Sequence, residues 1–147
     1  MNLDRPVGEE YLVRSGDILF VRSNGNPELV GRSVILPETT EKITFSGFTI
    51  RARVKGDRVI PIFLAHLFKS REFSAMINTV GRGANIRNLS QGILSELKIP
   101  FPDLDAQRTI VAQIEAEQCL VNANKELIRL FENKIKAVIN RVWGEAL

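Results

Sequence analysis

The feature that most constrains this chain is an apolar stripe that repeats through about its last forty residues. Residues 106–143 can form one uninterrupted helix, and along it eight apolar side chains follow each other at spacings of 4, 7, 7, 3, 4, 3 and 4. A 3.5-residue repeat kept over about four heptads is typical of a coiled coil rather than of the broader apolar face of a globular helix. We call this stripe the seam, and its apolar members are Ile110, Ile114, Val121, Ile128, Phe131, Ile135, Val138 and Val142.

The seam has no partner of matching length and period in residues 1–105, so we expect the partner helix to come from another chain. With Ile114 at heptad position a, the a positions hold β-branched residues, which favours a parallel pair. Two d positions hold Glu117 and Asn124, and polar groups in a seam cost stability but can fix register and orientation. The predicted interface comprises Ile110, Ile114, Val121, Asn124, Ile128, Phe131, Ile135, Val138 and Val142.

The body that precedes the helix, residues 1–105, begins with patterns typical of short strands. Residues 18–22 and 30–36 are strand candidates on either side of five consecutive turn-forming residues, 23–27. Because Asn-Gly is a strong signal for a tight turn, we predict a β-hairpin here.

A second hairpin is predicted around Ser46-Gly47, between residues 42–45 and 48–54. In the later strand apolar and polar side chains alternate, which places Phe48 and Ile50 towards the core. The same alternation places Arg51 and Arg53 on the opposite face, where they are available for phosphate contacts or solvation.

The pattern then changes to helical. Pro61 suits a first helical position, and Ser70 and Ser90 can cap two further short helices. Asp103 or Asp105 can cap the long helix. The order of elements predicts an α+β protein with a small globular body followed by one long coiled-coil helix.

Basic residues concentrate in the middle of the chain. The net charge is +3, but residues 51–87 alone contain eight Lys or Arg side chains and two acidic ones. Thirteen of the twenty basic residues are arginine, whose planar fork matches phosphates and guanine edges. On charge alone, a polyanion-binding surface and an ordinary solvated surface remain equally open.

Catalytic patterns are absent from the sequence. The single histidine, His66, lies in an apolar helical segment, and the single cysteine, Cys119, leaves no internal disulfide or cysteine cluster. Gly81-Arg82-Gly83 lacks the third glycine of a dinucleotide-binding loop. No signal peptide or apolar segment of membrane-spanning length is present. We therefore expect a cytoplasmic protein with no catalytic site, metal or cofactor.

One segment resembles a known family. The run from Ile99 through Ile110, with prolines at 100 and 102, Leu104 and Gln107, is similar to the start of a long helix in the specificity (S) subunits of type I restriction-modification systems. Other pieces resemble that family in the same order, namely Gly16-Asp17-Ile18-Leu19, Phe45-Ser46-Gly47-Phe48, Pro61-Ile62-Phe63-Leu64, residues 67–73 and residues 81–89.

The resemblance implies a non-catalytic subunit. Residues 1–105 would be a DNA target-recognition domain for one half of a bipartite site, and residues 106–147 a dimerisation and spacer helix. The implied partners are double-stranded DNA, methyltransferase (M) subunits, restriction (R) subunits and a second copy of the chain through the helix. The family implies an antiparallel helix pair. The alternative function is a coiled-coil structural or regulatory adaptor, derived from such a subunit, that does not read DNA.

Loop position and charge then select the DNA-binding residues. The predicted contacts lie in the loop after the first strand, in the glycine-rich segment and at two basic positions near residue 70. They are Arg22, Ser23, Asn24, Asn26, Lys69, Arg71, Arg82, Asn85, Arg87 and Asn88. The domain looks short at its start, so a half-size subunit and a fragment of a longer gene both remain open.

Overall fold

Three short antiparallel strands form the sheet of the body. In a computed structural model, which describes residues 8–80 and 88–144, β1 (Ile18–Val21) lies between β2 (Ser33–Ile35) and β3 (Thr49–Ala52). The predicted pairing of the first hairpin is confirmed, since β1 and β2 are antiparallel with Phe20 opposite Ser33. The returning strand is shorter than predicted because a 3-10 turn (Pro27–Leu29) and a left-handed Gly31, with φ of 84°, precede it.

The second predicted hairpin is wrong. β3 pairs with β1, with Ile50 opposite Phe20, and not with residues 42–45. Thr44 in that segment instead forms an isolated bridge with Leu12. The apolar side chain of Ile50 is buried in the shared core, and this burial favours the pairing with β1.

The first three helices begin where the sequence predicted, and the long helix begins two residues earlier than the predicted start at residue 106. The helices are α1 (Pro61–Leu67), α2 (Arg71–Val80), α3 (Gln91–Glu96) and α4 (Leu104–Trp143). The hydroxyls of Ser70 and Ser90 accept hydrogen bonds from the N–H groups of Phe73 and Ile93, 3.1 Å away in each case. Of the two candidate caps for α4, Asp103 accepts a 2.8 Å bond from the Ala106 N–H. These contacts confirm the predicted caps.

The core lies between the sheet and the first two helices. Phe20 of β1 meets Phe68 and Phe73, with ring centroids 5.0 and 6.1 Å away, and the latter two rings are 4.5 Å apart. The buried cluster consists of Ile18, Phe20, Ile50, Ala65, Phe68, Phe73, Ile77 and Leu89. The predicted α+β class is therefore confirmed.

The chain divides into two compact units, Met1–Arg108 and Thr109–Leu147. The second unit is the greater part of α4, which ends at Trp143 before Gly144 in a left-handed conformation with φ of 72°. Within the single chain, seven of the eight apolar seam residues are 37–68% exposed. They are Ile110, Val121, Ile128, Phe131, Ile135, Val138 and Val142. The long helix is thus confirmed, and its pairing stays a prediction.

An ion pair with a buried carboxylate links the residue after β3 to the turn before β1. Asp17, which is 1% exposed, accepts two 2.6 Å bonds from the guanidinium of Arg53 and a 2.8 Å bond from the Arg14 N–H. Arg51 donates from Nη1 to the carbonyl oxygens of Glu10 and Leu12, at 2.9 and 2.8 Å. Both arginines, predicted for phosphate contacts or solvation, therefore bind residues of the segment 10–17 instead.

We expect this ion pair to make the stability of the body depend on acid. Burial by itself raises the pKa of Asp17, but the hydrogen bonds from Arg53 and Arg14 and the charges of Arg53 and Arg51 outweigh it and hold the pKa below the ordinary value of 3.8. Because the folded-state pKa is lowered, the stabilisation is present above pH 3.8 and is lost as the pH falls through the folded-state value.

Asp17→Asn is therefore expected to lower the free energy of unfolding by about 2 kcal/mol at pH 7, with a smaller loss at pH 3. Urea unfolding from pH 7 down to pH 3 measures both quantities. Asp57→Asn, at an exposed carboxylate, is the matched control and should stay close to wild type. Equal losses at pH 7 and pH 3 would show that the charge of Asp17 is not responsible.

Candidate nucleic-acid interface

The end of β1 is held between two segments that are distant in sequence. The Arg22 N–H donates a 2.8 Å bond to the carbonyl of Phe48, and the Arg22 carbonyl accepts a 2.8 Å bond from the Leu89 N–H. The next residue, Ser23, forms an isolated antiparallel bridge with Asn88. Three loops are thereby joined at one place on the body by backbone hydrogen bonds.

The loop after β1 is shaped by its own asparagines. Asn24 Oδ1 accepts a 2.9 Å bond from the Asn26 N–H, and Asn26 Oδ1 accepts a 3.0 Å bond from the Glu28 N–H. These are Asx turns, and the second caps the 3-10 turn. The two amide NH₂ groups and the second lone pair of each Oδ1 are then the parts of these side chains that can hydrogen-bond to another molecule.

The turn before β3 completes the surface. Ser46 Oγ accepts a 3.3 Å bond from the Phe48 N–H, its carbonyl accepts a 3.0 Å bond from the Thr49 N–H, and Arg22 Nη1 lies 3.5 Å from the Gly47 carbonyl. Phe48 therefore belongs to the turn, and this residue is 69% exposed, so its predicted place in the core is wrong. An open depression, which we call the loop cleft, is lined by Ser23, Asn24, Gly25, Phe48 and Asn88.

The structure brings together some of the predicted contact residues. Ser23, Asn24 and Asn88 line the loop cleft, and the backbone of Arg22 joins its walls. Asn26 lies in the same loop as the cap described above. Three more predicted residues, Arg82, Asn85 and Arg87, lie outside the described residues.

Lys69, between α1 and α2, and Arg71, the first residue of α2, are exposed and do not line the loop cleft. Lys69 shares a second depression with Arg32, Ser33 and Asn78. Arg32 is exposed, and its Nε donates a 3.2 Å bond to the Glu28 carbonyl. Sequence reasoning missed Arg32, although its position directly after Gly31 in a turn-rich segment was a usable signal.

Within residues 8–80 and 88–144, no group of three or more His, Cys, Asp or Glu side chains is placed to hold a metal ion. None of the helices in these ranges is long and apolar enough to cross a membrane.

Comparison with known proteins identifies the family. Residues 7–138 match the family described as the type I restriction modification DNA specificity domain. This match covers most of the chain, including the sheet, the loop cleft and most of α4. The chain belongs to this family.

Two relatives are specificity subunits. The chain is 25% identical to the type I restriction enzyme StySPI specificity subunit of Salmonella potsdam, over 89% of this chain and 29% of that protein. It is also 25% identical to the type I restriction enzyme EcoKI specificity subunit of Escherichia coli, over 96% of this chain and 30% of that protein. The chain thus spans about 30% of the length of these relatives.

Proposed function

We propose that this chain is a non-catalytic DNA-specificity subunit whose body reads one half of a bipartite site. The observation that most supports this function is the Ser23–Asn88 bridge. It joins two loops that the sequence pattern selected independently for DNA contact, although they are 65 residues apart. The family to which the chain belongs supports the same function.

The side chains at the loop cleft suit the major groove. Asn88, which lines the loop cleft, offers the amide that pairs with adenine. Arg22, whose side chain lines a neighbouring depression with Ser46 and Gly47, offers the fork that pairs with the O6 and N7 acceptors of guanine. Ser23 and the NH₂ group of Asn24 supply further donors. Arg82, Asn85 and Arg87, which shortly precede Asn88 in the sequence, belong to the same proposed interface.

Cations away from the loop cleft suit the sugar–phosphate backbone. Lys69 and Arg71 are exposed, and Arg32 lies in the same depression as Lys69. Such contacts set orientation on the duplex without carrying sequence information. In this arrangement Lys69, Arg71 and Arg32 supply affinity, while the loop cleft supplies specificity.

In the proposed assembly, the long helix joins two copies of the chain. A second copy of the chain would cover the exposed seam, and a pair of helices would set the distance between two bodies. A two-fold symmetric pair would read a palindromic bipartite site. Methyltransferase subunits, and restriction subunits where present, would dock on this dimer.

Asn88→Ala tests the reading of DNA. The bridge to Ser23 uses the backbone of Asn88, so removing the side chain should leave the fold intact. Binding to the preferred duplex should weaken by about 1–3 kcal/mol, and the loss of base preference should be confined to one base-pair position. The preferred duplex is selected from a random pool with the 147-residue chain at low salt, and affinities are measured by fluorescence anisotropy. Asn133→Ala, at an exposed position of α4, is the matched control.

The salt dependence of the same binding is the second readout. The logarithm of affinity should fall steeply with the logarithm of salt concentration, and Arg71→Gln should reduce that slope by about one. A flat slope with no enriched sequence would contradict DNA reading. Such a result from a chain that still dimerises would favour the adaptor function instead.

A further inference from the structure

We propose that Phe48 is a specificity-determining residue, whose ring packs against the C5-methyl group of a thymine in the major groove. This inference rests on the proposed function and adds to it a residue that sequence reasoning had assigned to the core. It identifies the chemical feature that one wall of the loop cleft recognises.

Phe48 is the most exposed aromatic residue of the described body, at 69%. Tyr11 and Phe101 follow at 54% and 42%, whereas the core rings Phe20, Phe68 and Phe73 are at most 9% exposed. Covering such a ring removes apolar surface from water, which is favourable. The packing of the described body does not use this contribution, so it is available to a ligand.

The position of Phe48 is fixed before any ligand arrives. Its N–H donates to Ser46 Oγ at 3.3 Å, and its carbonyl accepts the Arg22 N–H at 2.8 Å. The second bond ties the turn to the end of β1, the strand that leads directly into Ser23. The backbone that carries the ring is thus tied to a strand of the sheet, and binding orders little else.

The polar neighbours of the Phe48 ring indicate which base pair it contacts. The side chains of Asn24 and Asn88 line the same depression as Phe48, and none of the described residues that line it is acidic. Amides of this kind pair with adenine in the major groove, where thymine, the base opposite adenine, exposes its methyl group. One A·T pair, or two adjacent ones, therefore offers both the polar and the apolar partner that this cleft presents.

Replacing thymine by uracil tests the contact, because uracil differs from thymine only by lacking the methyl group. The preferred duplex is again selected with the full chain, and each thymine is replaced in turn. We expect wild type to lose affinity about fourfold at one position, the value of burying one methyl group. Phe48→Ala should bind the thymine and uracil duplexes equally, and Phe48→Leu, which keeps an apolar side chain, should retain part of the difference.

Phe101→Ala is the matched control, since Phe101 is 42% exposed beside Arg58 and Asp103 rather than in the loop cleft. It should retain the full discrimination between thymine and uracil. The inference is overturned if the selected sequence lacks a methyl-sensitive thymine, or if Phe48→Ala still discriminates. Failure of the proposed function looks different, because wild type would then enrich no sequence at all and the inference would fall with it.

Discussion

Gln107→Ala is expected to lower the free energy of unfolding of the body by about 3 kcal/mol, because it removes a fully buried amide that makes three hydrogen bonds. Gln107 Oε1 accepts from the Ile60 N–H at 2.9 Å, and Nε2 donates to the carbonyls of Arg58 and Pro102 at 3.1 and 2.8 Å. Each of these backbone groups would lose a partner. The substitution also leaves a cavity where the side chain was.

Native-state hydrogen exchange of the Phe20 amide, measured by NMR, reports the stability of the body itself. The amide lies in β1, the central strand, so its protection follows the opening of the sheet. Gln107→Leu keeps most of the volume but none of the hydrogen bonds, and it should still cost about 2 kcal/mol. Gln113→Ala, at an exposed glutamine on the same helix, should stay within about 0.5 kcal/mol of wild type. If Gln107→Leu restored full stability, the hydrogen bonds would contribute nothing measurable.

Gln107 belongs to the family-like segment and also has a clear structural role. It is the glutamine of the segment that resembles the start of the long helix in specificity subunits. The sequence gives no sign of its partners, because Arg58 and Ile60 lie 49 and 47 residues away. The contacts make it a structural residue that joins the start of α4 to the residues before α1.

The features that the sequence predicted correctly are local. Ser70, Ser90 and Asp103 each accept a hydrogen bond from an N–H three residues ahead, so a short stretch of sequence contains the whole interaction. The long helix likewise follows from its own period. For these elements the physical cause lies within one or two turns of chain.

The features that could not be predicted depend on distant partners. The alternation in β3 gave the correct place for Ile50, but the choice of β1 as its neighbour is a tertiary outcome. The alternation placed Arg53 on the solvent-facing side, because nothing in the local sequence indicates that its partner is Asp17, 36 residues away. Phe48 was misplaced by extending a strand pattern one residue into a turn.

The same distinction applies to the loop cleft. Single residues such as Asn24 and Asn88 were selected because they are polar and lie in loops, which many residues share. Their juxtaposition depends on the Ser23–Asn88 bridge, which no local pattern indicates. Sequence reasoning therefore produced a set of residues that the fold separates. Three of them line the loop cleft, Lys69 and Arg22 line two other depressions, and three lie outside the described residues.

Ile128→Glu is expected to convert a dimer of this chain to monomers, with Kd raised at least about 1000-fold. Ile128 is 58% exposed in the single chain and occupies a central a position of the seam. In a dimer the substitution removes two buried isoleucines and places two carboxylates in the interface. Loss of apolar burial and desolvation of the charges act in the same direction, together by about 4 kcal/mol or more.

Molar mass in solution measures the result directly. Wild type at tens of micromolar should sediment at twice the 16.5 kDa of the chain, and Ile128→Glu at the mass of one chain. Leu130→Glu is the matched control, because Leu130 is 44% exposed but lies at position c, outside the seam, and this variant should remain dimeric. A dimer that survives Ile128→Glu, or one that Leu130→Glu disrupts equally, would mean that another surface joins the chains. Since the proposed bipartite reading needs two bodies at a fixed distance, Ile128→Glu should also lose the second half of the selected DNA sequence while it keeps the first.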